Sequence, residues 1–322
     1  MILTRSPYTI HPSKIVGTTS AVNMTLHCWT SGSMPGSPTY TIFKNVPPST
    51  IEFEISNLIK DFYVYTPIYY SSTGVRKSIE GNIVAVNIYQ TYLTPVDTEN
   101  FTGLFATDGY GYFMEGENPD IPSNKILLSN DYYVVNASGY FNIPVLKSAG
   151  TININGTNYN YQTGTEIRSN LQNIWLDLSN FEDDFTVTIG GNEIYFEIKS
   201  ECKYTPKDIM FLNKYGAWEI MTFFKKPTES LKTESKEFKP YTRTYQRYNT
   251  TGRENLELNS GFLPEWYNET VKQLLLSEHV YLLEGGTHIP LTVDTSSYEF
   301  KTRKTDKLIS HNIKFKYAFD VI

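Results

Sequence analysis

The chain has 322 residues and a mass of 36.9 kDa, enough for two ordinary domains or one large β domain, so it is no small disulfide-stapled scaffold. Charged residues make up only 19% and aromatic residues 15%, with 25 Tyr and 18 Phe, which excludes a disordered acidic chain and a coiled coil. A net charge of −6 and an isoelectric point near 5.5 argue against general nucleic-acid binding, whose affinity comes mainly from phosphate neutralisation.

The opening stretch, Met1 to Pro7, has no basic segment leading into a long apolar run, and nowhere does the sequence approach 18 consecutive apolar residues. Neither a signal peptide nor a membrane span is expected. Val22, Met24, Leu26 and Cys28 alternate with Asn23, Thr25 and His27, which places the apolar set on one face of a strand. A Gly/Ser/Pro stretch from Ser31 to Pro38 breaks the chain before a second strand, Thr39 to Lys44. Ser56 to Phe62 reads as one or two helical turns, and Ile83 to Tyr92 and Tyr132 to Val135 as further strands.

Two hairpins follow. Ile152 and Ile154 precede Asn155-Gly156, with Tyr159 and Tyr161 on the return, and Asn-Gly supplies the positive φ angles of a tight turn. Phe185, Val187 and Ile189 precede Gly190-Gly191, and Ile194, Phe196 and Ile198 return in the same alternation. Tyr, Phe, Thr, Val and Ile favour strands, so the predicted fold is mainly β, with β-sandwich-like domains and one α-helix in the C-terminal region. That helix runs over 264–276: Pro264 and Glu265 occupy its first turn, and Tyr267, Val271, Leu274 and Leu275 share a face.

Charge divides the chain. Residues 1–200 hold 10 Lys+Arg against 18 Asp+Glu, whereas 201–322 hold 18 against 16, which marks an N-terminal β-rich region, with a break near residue 122, and a C-terminal β-sandwich-like domain. Between 225 and 253 lie eight basic and three acidic positions together with Pro227 and Pro240, a composition that predicts an extended arm or exposed loop without a core of its own. Within it Lys232, Lys236, Phe238, Lys239, Tyr241, Arg243, Tyr245, Arg247 and Tyr248 are the candidate assembly contacts, aromatic groups and cationic donors suited to an acidic neighbour.

Catalytic constellations are missing. There is no Gly-x-Ser-x-Gly elbow, His-Glu-x-x-His pair, phosphate loop or dinucleotide fingerprint, and the five histidines have no metal-ligand spacing, so neither a catalytic residue, a metal nor a cofactor is predicted. Glu182-Asp183-Asp184 reads as a solvated turn. The loop Asp108 to Asp120 mixes Gly, aromatic and acidic residues as ligand-binding loops do, which makes Asp108, Tyr110, Tyr112, Glu115, Glu117 and Asp120 a candidate ligand loop, although a Gly-assisted hairpin explains it equally well. Cys28 and Cys202 cannot make a disulfide framework, lack Cys-x-x-Cys spacing and are expected as two separate buried thiols.

From Glu201 to Lys226 the sequence reads as a strand, a tight turn at Asn213 to Gly216 and a second strand rich in large apolar groups, Trp218, Phe223 and Phe224 among them. This segment, with Arg5-Ser6-Pro7-Tyr8, Leu258-Asn259-Ser260-Gly261-Phe262 and the ending Leu308 to Phe319, resembles virion structural proteins of tailed bacteriophages of Bacteroidetes-type hosts, tail components among them. The resemblance lies in strands and turns and carries no active-site residue. It implies a self-assembling, non-enzymatic structural subunit in the virion, put together in the host cytoplasm, with copies of itself and other virion proteins as partners. The alternative is a carbohydrate-binding or host-receptor-binding module that engages a host surface glycan through Tyr69, Tyr70, Tyr110 and Tyr112; a glycoside hydrolase ranks third.

Overall fold

A computed structural model of the chain describes residues 1–46, 51–67, 69–94, 97–110, 122–147, 149–241, 244–295, 298–300 and 308–319. The fold is mainly β, in layers of sheets with two short α-helices. The first sheet has the order Ile2–Leu3, Asp97–Thr107, Val84–Leu93, Ala21–Trp29, Tyr40–Asn45, antiparallel except where Ile2–Leu3 runs parallel to Asp97–Thr107. The alternation in Ala21–Trp29 does what it predicts: Val22, Met24, Leu26 and Cys28 are buried in a core shared with Phe53, Ile55 and Ile59, the last two flanking and closing the short helix Ser56–Ile59. His27, on the opposite face, is buried as well, because the Gly/Ser/Pro stretch folds over it and the Pro35 carbonyl lies 3.0 Å from its Nδ1.

Two middle sheets follow, one of Tyr140–Leu146, Leu171–Asp177 and Gly74–Lys77, the other of Thr157–Tyr159, Ile152–Ile154, Phe185–Ile189, Asn192–Lys199 and Tyr132–Asn136. Both expected hairpins form. Asn155 and Gly156 have φ of 46° and 83°, and Gly190 and Gly191 have 57° and 83°, the positive pair that a tight hairpin turn demands. Gly190 has a second reason to lack a side chain, since a Cβ there would sit 1.9 Å from the Ala149 carbonyl oxygen.

The C-terminal sheet has seven strands in the order Trp218–Phe223, Lys207–Leu212, Val280–Glu284, Thr287–Val293, Leu308–Tyr317, Gln246–Pro264, Thr228–Phe238. Every residue of Trp218–Phe223 is buried, as expected of a strand covered on both faces. The largest core runs across residue 200: Phe141, Ile143, Trp175 and Phe196 of the middle sheets pack in one cluster with Met210, Phe211, Ile220, Phe223 and Phe315 of the C-terminal sheet. The 3₁₀ turn Glu265–Tyr267 and the helix Asn268–Leu276 close this cluster with Tyr267, Val271 and Leu274, and the Tyr267 hydroxyl accepts a 2.8 Å bond from the Val134 amide. Among the described residues no helix is long and apolar enough to cross a membrane.

One expectation needs correction, and another is narrowed. Cys28 is buried but Cys202 is exposed, in the Pro-containing connection after Asn192–Lys199, where no sheet covers it. The 225–253 segment is regular structure: Thr228–Phe238 and Gln246–Pro264 pair antiparallel from Thr228↔Glu257 to Phe238↔Gln246. Of the extended arm or exposed loop expected there, the extended arm forms, because main-chain hydrogen bonds between the two strands satisfy the backbone without a core.

Candidate functional site

The strand Gln246–Pro264 has a second neighbour, Leu308–Tyr317, only from Asn255 onward. Before that point, Gln246 to Glu254 and Leu231 to Phe238 form a two-stranded ribbon that leaves the sheet; at about 3.3 Å per residue it projects roughly 25–30 Å. Thr228–Phe238 is exposed at every position but one and ends the sheet as an open edge. Along the ribbon stand Leu231, Phe238, Tyr241, Tyr245 and Tyr248, and Tyr241 is 97% exposed at the tip.

Eight of the nine candidate assembly residues are thus gathered on one element, and Arg243 lies outside the described residues. Several are braced within the ribbon. Phe238 meets Tyr248 edge to face at 5.5 Å, the Lys239 ammonium lies 5.3 Å from the Tyr245 ring centre, Arg247 Nε donates to Ser235 Oγ at 2.9 Å, and Lys232 pairs with Glu234 at 3.0 Å. The bracing holds large rings in fixed orientation at the surface, which lowers the entropy lost when a partner covers them. Charges on the open edge, Glu229, Lys232, Lys236 and Glu237 among them, guard it against indiscriminate strand pairing.

Asp108 and Tyr110 of the candidate ligand loop take structural positions; Tyr112, Glu115, Glu117 and Asp120 lie outside the described residues. Asp108 Oδ2 receives Arg5 Nη2 at 2.9 Å and the Tyr65 hydroxyl at 2.5 Å, and Arg5 also reaches Glu278 at 3.4 Å. His279 stacks on Tyr65 with ring centres 3.9 Å apart, and burial lowers its affinity for a proton. The amide of Tyr110 donates to the Lys214 carbonyl at 2.5 Å. A Cβ on Gly109 would sit 2.5 Å from the Tyr215 backbone and one on Gly216 2.7 Å from Asp108, so both glycines are required where the first sheet meets the Asn213–Gly216 turn. The carboxylate of Asp108 is 5% exposed and belongs to this joint.

Tyr69 and Tyr70, expected as open stacking faces, are half-buried against Trp175 at 6.0 and 5.9 Å. A cavity of about 400 Å³ opens between Ile83, just before Val84–Leu93, Phe105 of the first sheet and Leu146 of a middle sheet, with Lys125 and Lys147 also in its lining. A smaller one of about 130 Å³ is lined by Tyr69, Tyr140 and Asp208. Among the described residues no three His, Cys, Asp or Glu side chains come together as a metal site.

Asp208 was not legible as special, because it sits one residue into a strand between ordinary neighbours. Burial pushes its carboxyl from 3.8 up to about 6, against the opposing 2.6 Å bond from Thr222 Oγ1. A folded value above the unfolded one means that the stability it permits is full below about pH 4 and is lost as pH rises through about 6. Asp208→Asn keeps an acceptor for Thr222 and removes the titration, so it should stabilise the fold at pH 7 by up to about 3 kcal/mol, the shift being roughly two pKa units at ~1.4 kcal/mol each. Urea unfolding at pH 4 and pH 7 checks this: the gain should vanish at the lower pH, and a variant less stable than the parent at pH 7 would refute the assignment.

Compared with protein-family models and with curated proteins, the chain matches none.

Proposed function

We propose that the chain is a non-enzymatic structural subunit of a bacteriophage virion, a tail or tail-tip/baseplate component that self-assembles through its projecting ribbon. The observation that supports this is the ribbon itself. An isolated two-stranded hairpin is marginally stable in water, yet this one stands clear of the sheet with both faces exposed and several large aromatic groups on them. Such an element gains its stability when a neighbour covers it. Its open edge offers main-chain donors and acceptors for strand addition, and its Lys and Arg side chains complement the acidic first 200 residues of another copy.

Glu234 and Thr251 face each other directly, so deleting Ser235 to Thr250 and joining them through Asn-Gly shortens the ribbon without touching the sheet. The shortened chain should melt like the parent but stay monomeric in sedimentation velocity, while the parent forms oligomers visible by electron microscopy. A parent that is monomeric at all concentrations, or a shortened chain that assembles as the parent does, overturns the proposal.

A further inference from the structure

A polar cavity of about 350 Å³ lies at the start of the parallel strands Tyr132–Asn136 and Asn192–Lys199, with Asn124, Asn130, Asp131, Asn192, Glu193 and Tyr215 in its lining. Among the described residues its wall holds two carboxylates, three amides, a phenol and a serine hydroxyl, and no Lys or Arg. Asp131 and Glu193 are exposed and make no salt bridge among the described residues. Among the described residues an anionic ligand therefore meets no cationic side chain there.

Beside the cavity stands an aromatic wall. Tyr132 and Tyr195 stack at 5.3 Å with planes 16° apart, and Trp266 meets Tyr132 edge to face at 5.7 Å. Trp266 is 55% and Tyr195 39% exposed. Cavity and wall are continuous: Asn130 and Asp131 lead directly into Tyr132, Asn130 Nδ2 reaches the Trp266 carbonyl at 3.4 Å, and Glu193 and Tyr195, two apart on one strand, share a face. The rings are fixed by their hydroxyls. Tyr132 donates to Glu197 and Tyr195 to Asp184 Oδ2 at 2.8 Å, while Asp184 Oδ1 holds the Ile198 amide at 2.8 Å.

We infer that this is a binding site for a neutral saccharide. A sugar ring has an apolar C–H face that packs on an aromatic surface and an equatorial rim of hydroxyls, each both donor and acceptor. Carboxylates and amides satisfy such a rim, and rings already locked in place lose little freedom on contact. The volume lies in the range of small-ligand sites. This inference is independent of assembly, because neither the cavity nor the wall uses the ribbon.

The test is binding of the full chain to a printed array of neutral, sulfated and sialylated oligosaccharides, followed by titration calorimetry with the neutral oligosaccharide bound best. Trp266→Ala and Glu193→Ala, both at exposed positions, should each weaken binding at least tenfold with unchanged melting temperature. Trp266→Tyr, which keeps a ring, should recover most of the affinity, and Phe43→Ala, at an exposed aromatic of the first sheet, should leave it unchanged. No retention on the array, preference for the sulfated or sialylated members, or full affinity in both alanine variants overturns the inference.

Discussion

Trp218→Ala is expected to destabilise the protein by about 3–5 kcal/mol, the usual cost of deleting a large buried aromatic side chain. The indole is 5% exposed and meets the Tyr281 ring at 5.7 Å, inside the cluster that joins the middle sheets to the C-terminal one. The site cannot collapse to fill the gap. The strand is paired residue by residue with Lys207–Leu212, and the Trp218 carbonyl accepts a 2.8 Å bond from Asn142 Nδ2 of the middle sheet, so the backbone is held from two sides. The emptied volume therefore persists and adds its own term to the lost transfer free energy. Denaturant unfolding measures the effect, and a loss below about 1 kcal/mol would place the indole at the surface instead. Phe262, 63% exposed on the strand Gln246–Pro264 of the same sheet, is the matched control and should cost less than about 0.5 kcal/mol on truncation to Ala.

Local patterns such as this one were readable from sequence because their cause is local. Val22 to Cys28 alternate, Asn155-Gly156 and Gly190-Gly191 have the turn chemistry of their hairpins, and the face of Tyr267, Val271 and Leu274 follows helical spacing. What escaped depends on partners distant in the chain. That the expected arm would be a paired ribbon was hidden because its strands satisfy each other across the turn, not through burial that composition could register. The aromatic wall joins Tyr132, Tyr195 and Trp266 from two strands of one sheet and a helical turn of another segment. Asp108 and Gly109 looked like a ligand loop because a glycine beside an acid carries the same signature whether a ligand or a neighbouring turn makes the close approach.

Glu219 shows the same limit most sharply, since nothing in its spacing marks this acid as internal, yet it is fully buried inside Trp218–Phe223. Its Oε1 receives the Tyr133 hydroxyl at 2.7 Å and that of Ser129, and its Oε2 receives Asn213 Nδ2 at 2.8 Å and the Ser129 amide at 3.2 Å. Thr270 of the helix joins the network through Ser129 and Asn130, so one carboxylate ties together a loop, a turn, a strand and the helix. Glu219→Ala should cost about 3–5 kcal/mol, because it leaves these buried donors without an acceptor as well as a void. Glu219→Gln separates charge from hydrogen bonding. The amide oxygen can face Asn213 and the Ser129 amide, which only donate, while its NH₂ faces the two hydroxyls, which can also accept, so the cost should stay near 1 kcal/mol. Burial raises the Glu219 carboxyl above its ordinary 4.5 despite the opposing hydrogen bonds. The parent therefore keeps its full stability below about pH 4.5 and loses part of it as pH rises through the raised folded value, a loss that Gln does not suffer. Urea unfolding at pH 4 and pH 8 should show the gap between parent and Glu219→Gln narrowing at the higher pH; a gap that widens, or an alanine variant within 1 kcal/mol of the parent, would show that the carboxylate is not the centre of this network.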